Sequence, residues 1–313
     1  MENTLKIALA QISPVWLDRE KTLEKVMNST ANAASKGARL VIFGEAILPG
    51  YPFWLDRMNG AEFNSTCQKE IHAHYIQQAV NIESGHLNPL CDLAKNVNIS
   101  IYLGTIERPN DRGGHSLYCS MIFIDNHGEI KSVHRKLMPT YEERLSWSPG
   151  DGHGLVTHAV PPFTVGGLNC WENWMPLARA AMYAQGEDLH VSIWPGNKRN
   201  TEKLIPVIAM ESRSFVVGVS GMFSKDDIPD SFPYAEKMRK LTTETLADGG
   251  SCIAAPDGSW VVEPLTNKEE TIIAVLDHKK VLEERQNFDP SGHYSRPDVL
   301  SLNINRERQS ILK

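Results

Sequence analysis

The sequence predicts an α/β protein built as a layered sandwich with mixed sheets. Short apolar runs rich in β-branched residues alternate with amphipathic stretches along the whole chain. Two neighbouring runs, 117–125 and 129–135, face each other across Asn126-His127-Gly128 as a hairpin, so the strands cannot all be parallel. No internal repeat, low-complexity tract or long Pro/Gly-rich linker parts the chain, so the 313 residues read as one unit, within the size that large α/β folds reach.

In chain order, the strands are LKIALAQIS (5–13), LVIFGE (40–45), ISIYLGTIE (99–107), LYCSMIFID (117–125) and FTVGGLNC (163–170). LHVSIW (189–194), FVVGVSGM (215–222), SCIAAP (251–256) and TIIAVLD (271–277) follow. Most are unbroken apolar runs, the mark of strands covered on both faces. Between the first two, Leu23, Val26, Met27, Thr30 and Ala34 share one helical face, and Gly37 supplies the stop. Similar periods predict helices near 66–81, 86–96, 174–185 and 201–213. The polar stretch 223–250 reads as an excursion or lid. From about residue 280 the chain loses its period, and this extension is expected to contact another subunit.

A net charge of −6, without a run of like charge, gives no footprint for nucleic acid or an anionic membrane surface. The apolar run in MENTLKIALAQISP is too short for a signal-peptide core, and nowhere do ~18 apolar residues follow one another. A cytoplasmic protein is expected. Cys67, Cys91, Cys119, Cys170 and Cys252 are odd in number and contain no CxxC pair, so reduced thiols are expected, and neither a disulfide framework nor a metal site. His72 and His74, two apart, point to different faces of a helix and do not make a metal pair. GDGHG at 150–154 lacks the Lys-Ser/Thr of a phosphate loop and reads as a turn. No cofactor is called for.

Three strand ends carry chemistry. Cys170 ends an apolar strand just before WENWMPLARAAMYAQG, with Pro176 suited to a first helical turn. A thiol at such an elbow meets unpaired N–H groups and a helix N-terminus, which favour a thiolate and can hold an oxyanion. Glu45 closes LVIFG, where a carboxylate has no packing reason to sit, although strand-end glutamates are ordinarily caps or surface residues. Lys136 follows EIKSVHR and precedes Leu137-Met138-Pro139, where the chain turns inward. Glu143 belongs to an acidic pair with Glu142 and on its own reads equally as an exposed helix start.

Together, FGEAILPGYP around Glu45, HRKLMPTYEERLSWSPGDG around Lys136, GGLNCWENWMPLAR around Cys170 and the tail GHYSRPDVL resemble the nitrilase family of carbon-nitrogen hydrolases over nearly the whole chain. CWEN at 170–173 resembles the true nitrilase branch rather than the amidase and carbamoylase branches. The resemblance implies a four-layer αββα sandwich, with a homodimer formed across the layer bearing the cysteine helix and larger oligomers or spirals built from it. It implies that Cys170 is the nucleophile, Glu45 the general base, Lys136 the cationic stabiliser and Glu143 the second glutamate that orients the lysine. The implied partner is a small-molecule nitrile, hydrolysed to acid and ammonia. Tyr51, Trp54, Trp171, Trp174 and Trp194 lie near these strand ends and are expected to wall an aromatic pocket; by resemblance Trp54 and Trp171 touch substrate. An amidase or carbamoylase, or an idle oligomeric scaffold, are the competing readings.

Overall fold

The computed structural model describes residues 3–311. Its strands are β1 (Thr4–Gln11), β2 (Leu40–Phe43), β3 (Ser100–Glu107), β4 (Tyr118–Ile124), β5 (Ile130–Arg135), β6 (His158–Val160) and β7 (Phe163–Asn169). β8 (Leu189–Trp194), β9 (Phe215–Ser220), β10 (Met222–Phe223), β11 (Ala247–Ala254), β12 (Trp260–Thr266) and β13 (Glu270–Asp277) follow. The α-helices are α1 (Arg19–Ser35), α2 (Trp54–Arg57), α3 (Thr66–Gln78), α4 (Asn88–Val97), α5 (Pro176–Tyr183), α6 (Lys198–Thr201), α7 (Leu204–Ser212), α8 (Ala235–Leu241) and α9 (Lys279–Arg285).

One six-stranded sheet runs β13-β1-β2-β3-β4-β5, and a seven-stranded sheet runs β10-β11-β9-β8-β7-β6 with β12 also on β11. Both are mixed: β1-β2-β3 and β7-β8-β9 are parallel, and their neighbours antiparallel. The two-residue period of each strand sorts its side chains between two packing layers. Leu5, Ile7, Leu9, Leu40 and Ile42 meet Val191, Ile193, Val217 and Val219 of the other sheet in one buried cluster. Their alternates Ala8, Ala10, Val41 and Phe43 pack on Val26 and Ala33 of α1 and Leu90 and Ala94 of α4. On the far side, Val216, Cys252 and Ala254 pack on Ile205, Ile208 and Ala209 of α7, and Leu168 on Ala178, Ala181 and Met182 of α5. The layers are therefore helix, sheet, sheet, helix.

The sheets are drawn together where β2 and β8 end. Glu45 N–H donates to the Trp194 carbonyl at 3.0 Å, joining one sheet to the other. Only glycine permits the approach: a Cβ on Gly44 would lie 2.6 Å from the Gly221 backbone nitrogen and 2.9 Å from the Trp194 carbonyl oxygen.

The sequence reading missed β6 and β12. In β12 the exposed and half-buried residues of WVVEPLT give little apolar signal, and Pro264 argues against a strand interior, yet an edge strand tolerates it. The 223–250 stretch is packed rather than loose: Phe223, Ile228, Phe232, Ala235 and Met238 share a buried cluster with Trp16, Trp54 and Tyr75. Residues 286–311 form no helix or strand. This segment folds back on the chain's own body, where Arg308 pairs with Asp151 at 2.9 Å and donates to the Val133 carbonyl, and Gln309 donates to the Gly150 carbonyl. Among the described residues, no helix is long and apolar enough to cross a membrane.

Candidate active site

β7 ends at Asn169, and Cys170 then takes φ +45°, a left-handed conformation that costs a non-glycine residue energy. The chain is held in that elbow from below. Glu172 accepts from the Asn169 N–H (2.8 Å), the Leu137 N–H (2.6 Å) and His134 Nε2 (3.0 Å). Asn173 donates to the carbonyls of Leu168 and Cys170 and meets His190, which in turn meets Glu187. Thus the second and third residues after the cysteine fasten it, while the first, Trp171, is left free to line the site.

Glu45, Lys136, Glu143 and Cys170 converge, all but fully buried. Lys136 Nζ lies 2.9 Å from Glu45 Oε1 and 2.7 Å from Glu143 Oε2. Glu143 also accepts from the Thr140 N–H (2.6 Å) and the Tyr51 hydroxyl (2.8 Å). Acceptor atoms of Glu45, Glu143 and the Cys170 sulfur all lie within 4.8 Å of one another. The positive charge among them is the Lys136 ammonium.

Burial governs the proton affinities. It pushes the Glu45 carboxyl up to about 7, against the opposing pull of Lys136. Burial alone would lower the Lys136 ammonium, but the Glu45 and Glu143 carboxylates outweigh it and hold the group well above its ordinary value. The Cys170 thiol is pushed well above its ordinary value by burial and by Glu45, with Lys136 and the Trp171 N–H opposing. This corrects the expectation of a resting thiolate. The residues after Cys170 form a 3-10 turn (Cys170–Trp174), α5 begins only at Pro176, and two carboxylates stand against the sulfur.

A cavity of about 520 Å³ opens over the sulfur. Of the residues expected in its wall, Tyr51, Trp171 and Trp174 line it, together with Glu143 and Cys170. Trp54 and Trp194 do not. Trp54 is buried against Trp16 and Tyr75, and the Trp194 ring packs among Leu204, Ile205 and Ile208 under the sheet. The sequence reading missed Phe53, Leu246, Arg57 and Arg199, which also line the wall. Arg57 and Arg199 stand on the one-turn helices α2 and α6, too short to leave a period. His72 and His74 stand apart from the cavity wall.

Such a set, a buried thiol flanked by two carboxylates and an ammonium beneath an open cavity, can attack an electrophilic carbon and stabilise the charge displaced from it. Residues 6–286 match the carbon-nitrogen hydrolase family, and the chain belongs to it. It is 34% identical over 97% of its length to an aliphatic nitrilase of Rhodococcus rhodochrous, covering 83% of that protein. It is 35% identical over 97% of its length to a nitrilase of Pseudomonas syringae pv. syringae (strain B728a), covering 91% of that protein. In fold it is similar to an amidase of the nitrilase superfamily from Nesterenkonia AN1, with a TM-score of 0.64 at 18% identity over 90% of this chain and 94% of the other.

Proposed function

We propose that the protein is a nitrilase, hydrolysing an organic nitrile to its carboxylic acid and ammonia through a covalent cysteine intermediate. The observation that carries this reading is the convergence of Glu45, Lys136 and Glu143 on the Cys170 thiol, with Cys170 and Glu143 themselves lining the cavity. Full-length likeness to nitrilases supports it.

In this reading Glu45 takes the thiol proton as Cys170 Sγ bonds to the nitrile carbon, and that proton is delivered to the nitrile nitrogen, giving a thioimidate. Lys136 and the Trp171 N–H stabilise the charge that develops on nitrogen. Water activated by Glu45 adds to the thioimidate carbon, ammonia leaves, and a second water releases the acid from the thioester. Glu143 orients Lys136 throughout. The rings of Tyr51, Phe53, Trp171 and Trp174 suit a planar or arylalkyl nitrile.

The whole chain acts as one hydrolase domain with a C-terminal extension from about 280, and works in the cytoplasm with its five cysteines as free thiols. The exposed Trp171, Trp174, Met175 and Leu177 support a homodimer formed across this layer, from which larger homo-oligomers or spirals grow.

The test is ammonia release from a panel of aromatic, arylacetic and aliphatic nitriles beside the matching amides, with Cys170→Ala and Glu45→Gln as controls. Release from nitriles, abolished in Cys170→Ala, is the expected result. Release from amides alone overturns it in favour of an amidase, and silence from both in favour of a non-catalytic scaffold.

A further inference from the structure

The two oxygens of Glu45 are unequally occupied. Oε1 takes the Lys136 ammonium at 2.9 Å and the Cys119 thiol at 3.5 Å, a reach that sulfur's size allows. Among the described residues Oε2 has no hydrogen-bond partner, although Glu45 is 1% exposed. A bare buried acceptor costs about 1–3 kcal/mol, so it persists where the atom has something else to do. Glu143 has no such spare atom: its Oε1 is taken by Tyr51 and its Oε2 by Lys136 and the Thr140 N–H. Of the two carboxylates within 4.8 Å of the Cys170 sulfur, Glu45 alone keeps an oxygen free.

Cys119, near the start of β4, touches both partners of the ion pair. Its thiol donates to Glu45, and its carbonyl accepts from the Lys136 backbone N–H at 2.8 Å. Burial beside Glu45 keeps that thiol protonated, so it remains a donor and not a rival nucleophile.

We propose that Cys119 is a positioning residue for Glu45: its thiol and Lys136 together hold Oε1, which leaves Oε2 as the oxygen that receives the Cys170 proton. As the S–C bond forms, that proton passes from Sγ to Oε2 and on to the nitrile nitrogen, which takes up the electron pair of the broken π bond. The proposal rests on the reading of Glu45 as base.

The test compares Cys119→Ala and Cys119→Ser with the wild-type protein, in kcat/KM against pH, on the substrate turned over best. Glu45 must be ionised to accept the proton, so activity rises with pH through its titration, which burial places at about 7. The groups facing Glu45 are Lys136, Glu143, Cys119, Cys170, Tyr51 and Tyr75, and the variants alter Cys119 alone. Losing a donor to the ionised form raises that value further. In Cys119→Ala the acid limb therefore moves up by about 0.3 to 1 pH unit, and the rate at neutral pH falls about two- to tenfold. Cys119→Ser, whose hydroxyl still donates, returns the limb towards wild type.

Thermal midpoints of both variants separate this from packing. A folded Cys119→Ala with the wild-type limb and rate overturns the proposal. Equal loss in Ala and Ser variants, tracking a lowered midpoint, also overturns it. Glu45→Gln in the same series separates the layers of the argument: its turnover would remove the base, and the positioning role with it. An inactive Glu45→Gln beside an unaltered Cys119→Ala removes the positioning role alone.

Discussion

Glu172→Gln is the most informative substitution outside the reacting atoms. The carboxylate is buried, and it accepts from His134 and from two backbone amides, one beside Lys136 and one beside Cys170. Glutamine keeps the shape but turns an NH₂ towards a donor and removes the charge. Leaving buried donors without their charged acceptor costs about 1–3 kcal/mol each, so about 3–5 kcal/mol for the set when glutamine's one oxygen still serves part of it. Unfolding entropy of about 2.1 cal/mol/K per residue gives about 0.66 kcal/mol/K for a chain of 313 residues, so Tm should fall by about 5–8 °C. Burial would raise the Glu172 carboxyl, but His134 and the two amides outweigh it and hold it below its ordinary value of 4.5. Its contribution is therefore complete above that value and is lost as pH falls through the lowered one, so wild type and variant should converge in acid. Because the elbow and the Lys136 loop hang on this one group, kcat should also fall, by about tenfold to a hundredfold for a displacement near 1 Å. Calorimetry from pH 3 to 8 and ammonia release at neutral pH read both effects. An unchanged Tm with unchanged kcat would refute the latch.

Two further substitutions follow from the geometry. Tyr51→Phe removes the hydroxyl that donates to Glu143 at 2.8 Å, a bond to a charged group worth about 1.5–3 kcal/mol, so kcat should fall about tenfold or more and Tm by about 2–5 °C, read by steady-state kinetics beside a melting curve. Gly104→Ala forces a methyl to within 2.1 Å of the Gly44 carbonyl, so the strand or Glu45 must shift; a loss of about 1–3 kcal/mol in urea unfolding and a sharp fall in turnover are expected together.

The fold was legible because most of its strands are covered on both faces and so appear as unbroken apolar runs, and because α1 carries one apolar face closed by the Gly37 stop. The residues that hold the site were not. Glu172 finds His134 and Leu137 at separations of 38 and 35 residues, and no local pattern announces a partner so far away. The tryptophans show the same limit: Trp171 and Trp194 both lie at strand ends, yet one lines the cavity and the other is buried under the sheet, a difference set by strand alternation and by the elbow. Cys119 resembled any other buried cysteine in an apolar strand, and its meaning depends on which face of β4 it occupies.

The protonation of Cys170 follows from counting charge. Two carboxylates already face one ammonium in a site almost closed to water, and a resting thiolate would add a second uncompensated negative charge where a single one is already costly. A thiol avoids this, but only if a base can remove its proton during attack. Glu45 is suited to that because burial has raised it to about 7, so near neutral pH it is ionised often enough to accept and acidic enough to deliver. In the proposed mechanism, the burial that makes the thiol a poor nucleophile at rest also raises Glu45 towards the affinity a base needs, and net charge beside the sulfur then changes little as the S–C bond forms. On this argument Glu45 and Cys170 titrate as a pair. Replacing Lys136 should disturb both, because its ammonium is what permits two carboxylates to remain beside the sulfur.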